Sequence, residues 1–296
     1  MSGPFDAVDD ADVRERFEQQ HYVADDELVT TVVVALRLGK PLLVEGEPGC
    51  GKTELGKVLA AGYDTELIRL QCYEGLTAEH ALYEWNYGKQ LLAVQGGDDP
   101  EESVFDEEYL LERPLLRALR AGTDRPPVLL IDEIDRADEE FEALLLELLS
   151  DFQVSIPELG TVTAEYPPIV IITSNRTRGL SDALKRRCLF LHVDPPDPVT
   201  EREIVRRKVP ELDATVAEEL CAIVAELRDA PLVKRPGVAE TLDWGRALAA
   251  TREDGDPLTV DEVARTIGCL LKEVEDIRRY DEEAIADLLA TVRGEA

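Results

Sequence analysis

Lysine is scarce in this 296-residue chain: 24 of its 32 basic residues are arginine and 8 are lysine, set against 63 acids for a formal net charge of −31. A surface so acidic repels nucleic-acid phosphates and anionic lipid headgroups, so neither is an expected partner. Aromatic residues make up only 5% of the chain, with two tryptophans and one methionine. No apolar run approaches the ~18 residues a membrane helix needs. The start, Met1-Ser2-Gly3-Pro4-Phe5-Asp6, lacks the basic-then-apolar pattern of a secretion signal, and a cytoplasmic location is expected. The cysteines at 50, 72, 188, 221 and 269 form no C-x-x-C pair, and the histidines at 21, 80 and 192 stand alone. Reduced thiols and no zinc site follow. Because the acids are spread along the whole chain, they read as adaptation to a high-salt cytoplasm; an acidic face for a basic partner is the alternative.

Against these absences, residues 46–53 read Gly-Glu-Pro-Gly-Cys-Gly-Lys-Thr. The octapeptide satisfies G-x-x-x-x-G-K-[ST] and lies between an apolar run, Pro41–Glu45, and a helical pattern beginning at Glu54. Strand, glycine turn and helix N-terminus aim backbone N–H groups at one point, where the oxygens of a nucleoside triphosphate can be held. Gly46, Gly49 and Gly51 permit the tight path, with Glu47, Pro48, Cys50 and Glu54 completing the cradle. Lys52 is expected to reach the β- and γ-phosphates and Thr53 to ligate Mg²⁺. Cys50 lies where oxidation would block entry of the nucleotide.

Downstream, Val128-Leu129-Leu130-Ile131 ends in Asp132-Glu133 after the breaker Pro126-Pro127. In a parallel sheet the carboxyl end of such a strand faces the ligand crevice. Asp132 is placed to meet Mg²⁺ and Glu133 to polarise an attacking water. A third apolar strand, Pro168–Thr173, closes on Ser174-Asn175, whose amide can orient that water or serve a turn. Lys185-Arg186-Arg187 ends a helical stretch before the strand Leu189–Val193. Arginine there suits the helix dipole, but phosphoryl transfer also calls for one. No Asn-Lys-x-Asp string for guanine occurs, which favours ATP.

Along the rest of the chain, residues 1–20 read as a short solvated helix and Asp25–Leu36 as an amphipathic helix ended by Gly39. Glu66–Gln71 reads as a strand, and residues 81–94 as a hairpin turning at Gly88-Lys89, with Tyr83, Trp85 and Tyr87 on one face. An acidic linker over 96–103, a helix over 106–121, a helix over 139–151 and a hairpin near 154–163 follow. After Asp194-Pro195-Pro196-Asp197-Pro198 only helical periodicities remain, at 199–208, 213–228, 237–251, 259–271 and 272–292. The expected architecture is α/β: a P-loop NTPase αβα sandwich with a parallel sheet over 1–195, then a small all-α lid domain over 196–296.

The order of these motifs resembles an AAA+ ATPase, and more narrowly the MoxR branch and its accessory ATPases that mature carbon monoxide dehydrogenase. The narrower likeness rests on 46–53, on Thr-Ser-Asn-Arg-Thr-Arg at 173–178, on Asp-Ala-Leu-Lys-Arg-Arg-Cys-Leu at 182–189 and on Pro-Gly-Val-Ala-Glu-Thr-Leu-Asp-Trp at 236–244. It implies Mg-dependent ATP hydrolysis that remodels a client protein or matures its metal cofactor. It implies sensor 1 at Asn175 and an arginine finger at Arg187, with Arg186 as runner-up. Tyr22-Val23 would lie on the adenine side, and 81–94 would be the insert near the second helix, gripping substrate or packing as an ordinary hairpin face. A homo-oligomeric ring, a hexamer in this family, is implied, with a von Willebrand A-domain partner. A nucleic-acid motor and a non-hydrolysing switch are the rival classes. No arginine follows Pro236, so Arg235 or Lys234 would have to stand in for sensor 2.

If the acids are a salt adaptation, thermal stability should rise from ~0.1 M to molar KCl, as the screening length falls from ~10 Å to ~3 Å. A melting series over that range checks it; a flat or falling midpoint would point to a basic partner instead.

Overall fold

The computed structural model describes residues 4–96, 105–121, 125–157, 159–252 and 256–294. In chain order its strands are β1 (Leu42–Gly46), β2 (Leu67–Gln71), β3 (Tyr83–Trp85), β4 (Leu110–Glu112), β5 (Val128–Asp132), β6 (Gln153–Ile156), β7 (Gly160–Thr163), β8 (Ile169–Ser174) and β9 (Leu189–Val193). Five of them build one sheet in the order β2-β5-β8-β1-β9. The pairs β2·β5, β5·β8 and β8·β1 are parallel.

Every residue of β1, β5 and β8 is buried, which is why these strands are unbroken apolar runs rather than alternating ones. The helix Lys52–Gly62 lies on β1, β5 and β8, and Pro114–Arg120 lies on β2 and β5. At Gly56 the helix comes so close to β5 that a Cβ would meet the Leu130 side chain at 3.2 Å. Because β8 enters between β1 and β5, and β2 pairs with β5, four strand ends line up. Glu45 stands opposite Ser174, Ile131 opposite Ile172, and Gln71 opposite Asp132. The expected αβα sandwich is present, and its polar strand ends share one edge.

The chain forms two compact units. One takes the residues up to Gln20, Ala24–Gly46 and Lys52–His192; the other takes His21–Val23, Glu47–Gly51 and Val193 onward. The second is helical: Pro198–Lys208, Ala214–Asp229, Val238–Thr251, Val260–Thr266, Val274–Arg279 and Glu282–Arg293. Its core gathers Val205, Leu220, Val224, Leu248 and Ile285 around Trp244, whose Nε1 donates to Thr266 Oγ1 at 2.8 Å. The long periodicity over 272–292 is two helices, because Asp281 accepts the Ala284 N–H and caps a new one.

Three expectations are corrected. The helix Asp10–Gln19 is not simply solvated: Val13 and Phe17, one turn apart, are buried, and Arg16 donates to Gly62 O at 2.6 Å. The 81–94 segment is not a hairpin turning at Gly88-Lys89. Tyr83–Trp85 pairs antiparallel with Leu110–Glu112 instead, and Tyr87–Gly96 is a helix. Asn86 decides this, since its Oδ1 accepts the Lys89 N–H at 3.0 Å and its carbonyl the Gln90 N–H at 3.0 Å. Tyr87 therefore leaves the shared face and is exposed, whereas Trp85 packs edge-on against Phe105. Most of the acidic linker that follows lies outside the described residues. The helix expected over 106–121 is a 3₁₀ turn, a strand and the helix Pro114–Arg120, because Pro114 holds Arg113 extended (φ −100°, ψ 172°).

In the helical unit, Arg228 pairs with the buried Glu201 through Nη1–Oε2 at 2.5 Å and Nη2–Oε1 at 2.8 Å, and donates to Pro236 O. Arg228→Ala should cost about 3–5 kcal/mol by stranding the carboxylate, whereas Arg228→Met with Glu201→Leu should cost far less. Urea unfolding of the single and double variants in high salt measures the difference. Equal losses would assign the effect to packing rather than to the pair.

Candidate functional site

The phosphate loop takes its path from glycines in the left-handed region, Gly49 at φ 85° and Gly51 at φ 89°. Within the second unit, Gly49 packs on Gly237, the residue before the helix Val238–Thr251. A Cβ on Gly49 would lie 3.2 Å from Gly237 Cα, and one on Gly237 3.1 Å from Gly49 Cα. The Glu240 carboxylate takes the Gly237 N–H at 3.0 Å and holds that turn. Cys50 Sγ donates to Glu47 O at 2.9 Å, while Glu47 and Pro48 are exposed. Val23 is half-buried in the same unit as the loop.

In the first unit the strand ends converge on Asp132, which is 2% exposed. Its Oδ1 accepts from Thr53 Oγ1 at 2.9 Å and from Thr173 Oγ1 at 2.5 Å. Its Oδ2 accepts from Arg69 Nη2 at 2.6 Å and Nε at 3.1 Å. Lys52 opens its helix with a buried side chain whose Nζ donates to Gly46 O at 2.9 Å. Glu54, in the first turn, pairs with Lys57 at 3.4 Å.

Glu133 stands at φ 56°, ψ 50°, a conformation that costs a non-glycine residue about 1 kcal/mol or more. Two bonds hold it there: its N–H donates to Thr173 Oγ1 at 3.0 Å, and its Oε2 accepts from Arg136 Nη1 at 3.1 Å. Thr173 thus links both acids of the Asp-Glu pair.

The buried Asp135 ties the end of β5 to the segment after β8. It accepts the Asn175 N–H at 3.0 Å, the Thr177 N–H at 2.9 Å and the Thr177 hydroxyl at 2.5 Å. Asn175 is thereby fixed by its backbone, with a half-buried side chain. Arg176, at φ 60°, reaches the buried Glu45 at 3.6 Å. Arg187 is exposed and bonds elsewhere, its Nε to Ser150 Oγ at 2.8 Å and its Nη1 to Ala183 O at 3.2 Å. Arg186 is exposed beside it.

The first unit therefore gathers Lys52, Thr53, Asp132, Glu133 and Asn175 at adjoining strand and helix ends and leaves Arg187 on the helix Asp182–Arg187. Sequence reasoning missed Arg69, Thr173 and Asp135. Arg69 and Gln71 are two apart on a strand, a signal that they share a face, but which face depends on a register visible only in the sheet. Among the described residues, no three or more of His, Cys, Asp and Glu gather to hold a metal by themselves. The Thr53 hydroxyl and Asp132 carboxylate are adjacent hard oxygen donors, a set that fits Mg²⁺ shared with phosphates.

A parallel sheet with a glycine loop between β1 and the following helix, and acids at the end of β5, defines a P-loop nucleotide-binding protein. The model of the AAA domain (dynein-related subfamily) matches residues 41–188, half of the chain, and the chain belongs to that family. It is 27% identical over 280 residues to the uncharacterized protein SH1500 of Staphylococcus haemolyticus, covering 92% of this chain and 98% of that one. Similarity to the uncharacterized protein SAB1265c of Staphylococcus aureus is 27% over 275 residues, covering 90% and 96%. Among solved structures, the Thermotoga maritima RuvB Holliday junction branch migration motor aligns with a TM-score of 0.47 at 20% identity, over 92% of this chain and 71% of that one. Membership of the AAA family implies nucleotide binding, typically with Mg²⁺. No helix among the described residues is long and apolar enough to cross a membrane.

Asp135 sits below the ordinary carboxylate range: burial pushes its pKa up, but the Thr177 hydroxyl and the Thr177 and Asn175 amides pull it further down. A lowered folded pKa stabilises the fold above the unfolded value of ~3.9, and that contribution is lost as pH falls through the folded value. Asp135→Asn should therefore unfold at a lower temperature than the parent at pH 7, with the gap closing below about pH 4. Melting curves across pH 3–7 decide it; a gap that stays constant would remove the charge from the account.

Proposed function

We propose that this chain is a Mg²⁺-dependent ATPase of the MoxR type that spends hydrolysis on remodelling a client protein. The observation that carries the reading is the Thr53 hydroxyl set 2.9 Å from Asp132 at a strand end whose next residue is Glu133. Lys52 and the loop N–H groups bind the β- and γ-phosphates and orient the terminal one. Thr53 and Asp132 would hold Mg²⁺, which would supply positive charge to offset the charge that grows on the phosphates. Glu133 aligns water for in-line attack and draws on its proton, and Asn175 steadies the same water.

Arg187 completes the site of a neighbouring copy. Its exposure and its light tether to Ser150 suit a group that works outside its own subunit. The ring this requires is common among AAA+ proteins. Client contact falls to the helix Tyr87–Gly96, which exposes Tyr87, Leu91, Leu92 and Val94 together. A von Willebrand A-domain partner and a metal-enzyme client, of the carbon monoxide dehydrogenase class, belong to this reading, as does a salt-rich cytoplasm. The charge of −31 supports a protein client over a nucleic acid. The domain reading is 1–195 for nucleotide and 196–296 for the lid, with Val23 beside the base.

Glu133→Gln should keep ATP binding and lose turnover, whereas Lys52→Ala should lose binding, because only Lys52 meets charge already present in the ground state. Arg187→Ala should bind ATP and lose ~10³-fold or more in rate. Mixed with Lys52→Ala subunits, which still donate Arg187, it should recover activity above the sum of the two alone. Steady-state hydrolysis on mixtures shown by light scattering to co-assemble is the measurement. No recovery would remove Arg187 as a shared residue.

A further inference from the structure

Asp132 has no free acceptor position. Two hydroxyls, from Thr53 and Thr173, bond its Oδ1, and two N–H groups of one guanidinium, from Arg69, bond its Oδ2. A carboxylate offers about four lone-pair sites, so this one is saturated. Anything that brings a cation, or water carried by a cation, to Asp132 must first displace one of these donors.

The four donors differ in how easily they leave. Thr173 is 1% exposed and its oxygen also receives the Glu133 N–H at 3.0 Å, so moving it would disturb Glu133. Thr53 belongs to the candidate cation site itself. Arg69 is different. Its side chain is 49% exposed on β2, where water can replace its lost partner. Its Nη2 also donates to Gln71 Oε1 at 2.6 Å, a second anchor two residues along the same strand face. Register puts Gln71 directly opposite Asp132 and Arg69 opposite Leu130, so the guanidinium reaches diagonally across the strand pair and can withdraw without moving backbone.

Charge makes the exchange compulsory. A carboxylate 3% exposed is costly to bury alone, and the guanidinium neutralises it. A divalent cation at the same oxygens would face that fixed positive charge, and the two repel. We infer that Arg69 is the resident counter-ion of Asp132 and is exchanged for the Mg²⁺ that arrives with the nucleotide. It thereby sets how much Mg²⁺ the site requires. Arg69 is a positioning residue: it keeps Asp132 oriented and occupied until phosphates deliver the competing cation. This inference rests on the reading of Asp132 as a Mg²⁺-side group.

The test is Mg²⁺ titration of the binding of a fluorescent ADP analogue, read by fluorescence without turnover, on the full-length protein. Arg69→Ala and Arg69→Gln should both lower the Mg²⁺ midpoint by roughly three- to tenfold, the scale of one ion pair half in water. Asp132→Asn should raise it. Thermal unfolding supplies the control on folding. In EDTA, Arg69→Ala should melt below the parent, and added Mg²⁺ with ADP should narrow that gap, which a purely structural contact would not do. An unchanged or raised midpoint in both Arg69 variants, with Asp132→Asn still raised, overturns the exchange and leaves Asp132 in its role. No movement in any of the three overturns the role of Asp132 and the exchange with it.

Discussion

A single buried carboxylate, Asp132, organises the polar edge of the sheet. It stands at the end of a strand with no exposed residue, where ionisation is tolerable only if every lone pair finds a donor. The donors come from three places in the chain: Thr53 in the helix after the phosphate loop, Thr173 on β8 and Arg69 on β2. Satisfying one acid therefore fixes the helix and two neighbouring strands at their polar ends. The sheet order β2-β5-β8-β1 is what lets those donors arrive, since β5 has β2 on one side and β8 on the other.

The same economy appears in the backbone. Glu133 and Arg176 both adopt left-handed conformations just past the ends of β5 and β8. Such geometry persists only when its surroundings over-determine it. For Glu133 those surroundings are Thr173 and Arg136; for the segment holding Arg176 they are Asp135, the Ser174 hydroxyl and Glu45. Strain of this kind turns the chain out of the strand direction just past the sheet's polar edge. A strand that simply ran on would turn its side chains alternately to its two faces.

Glycine has a different task in the helical unit. Gly49 and Gly237 meet so closely that a side chain on either would have to push the other backbone aside. Glu240 holds the turn at Gly237, and Arg228 holds the carbonyl of Pro236 one residue earlier. The buried Glu201, through Arg228, thus reaches the stretch that faces the loop. A backbone contact built this way carries position rather than charge.

Local pattern in the sequence determined a good deal. Short apolar runs flanked by proline or glycine and ending in acids or amides read as buried strands with polar ends, so β1, β5 and β8 and the residues at their tips were legible, as was the glycine loop. The helix Glu139–Asp151 was legible from its leucine-rich face. Tertiary structure alone decided the rest. The aromatic alternation at 83–87 suggested a local hairpin, but the partner strand came from Leu110–Glu112, and pairing over that separation leaves no local signature. Arg69 looked like one charge among many until register set it beside Asp132. Thr173 and Asp135 looked like ordinary polar residues until the sheet brought β8 against β5. Periodicity and turn chemistry act over a few residues, whereas the partner of a buried charge is chosen by the fold.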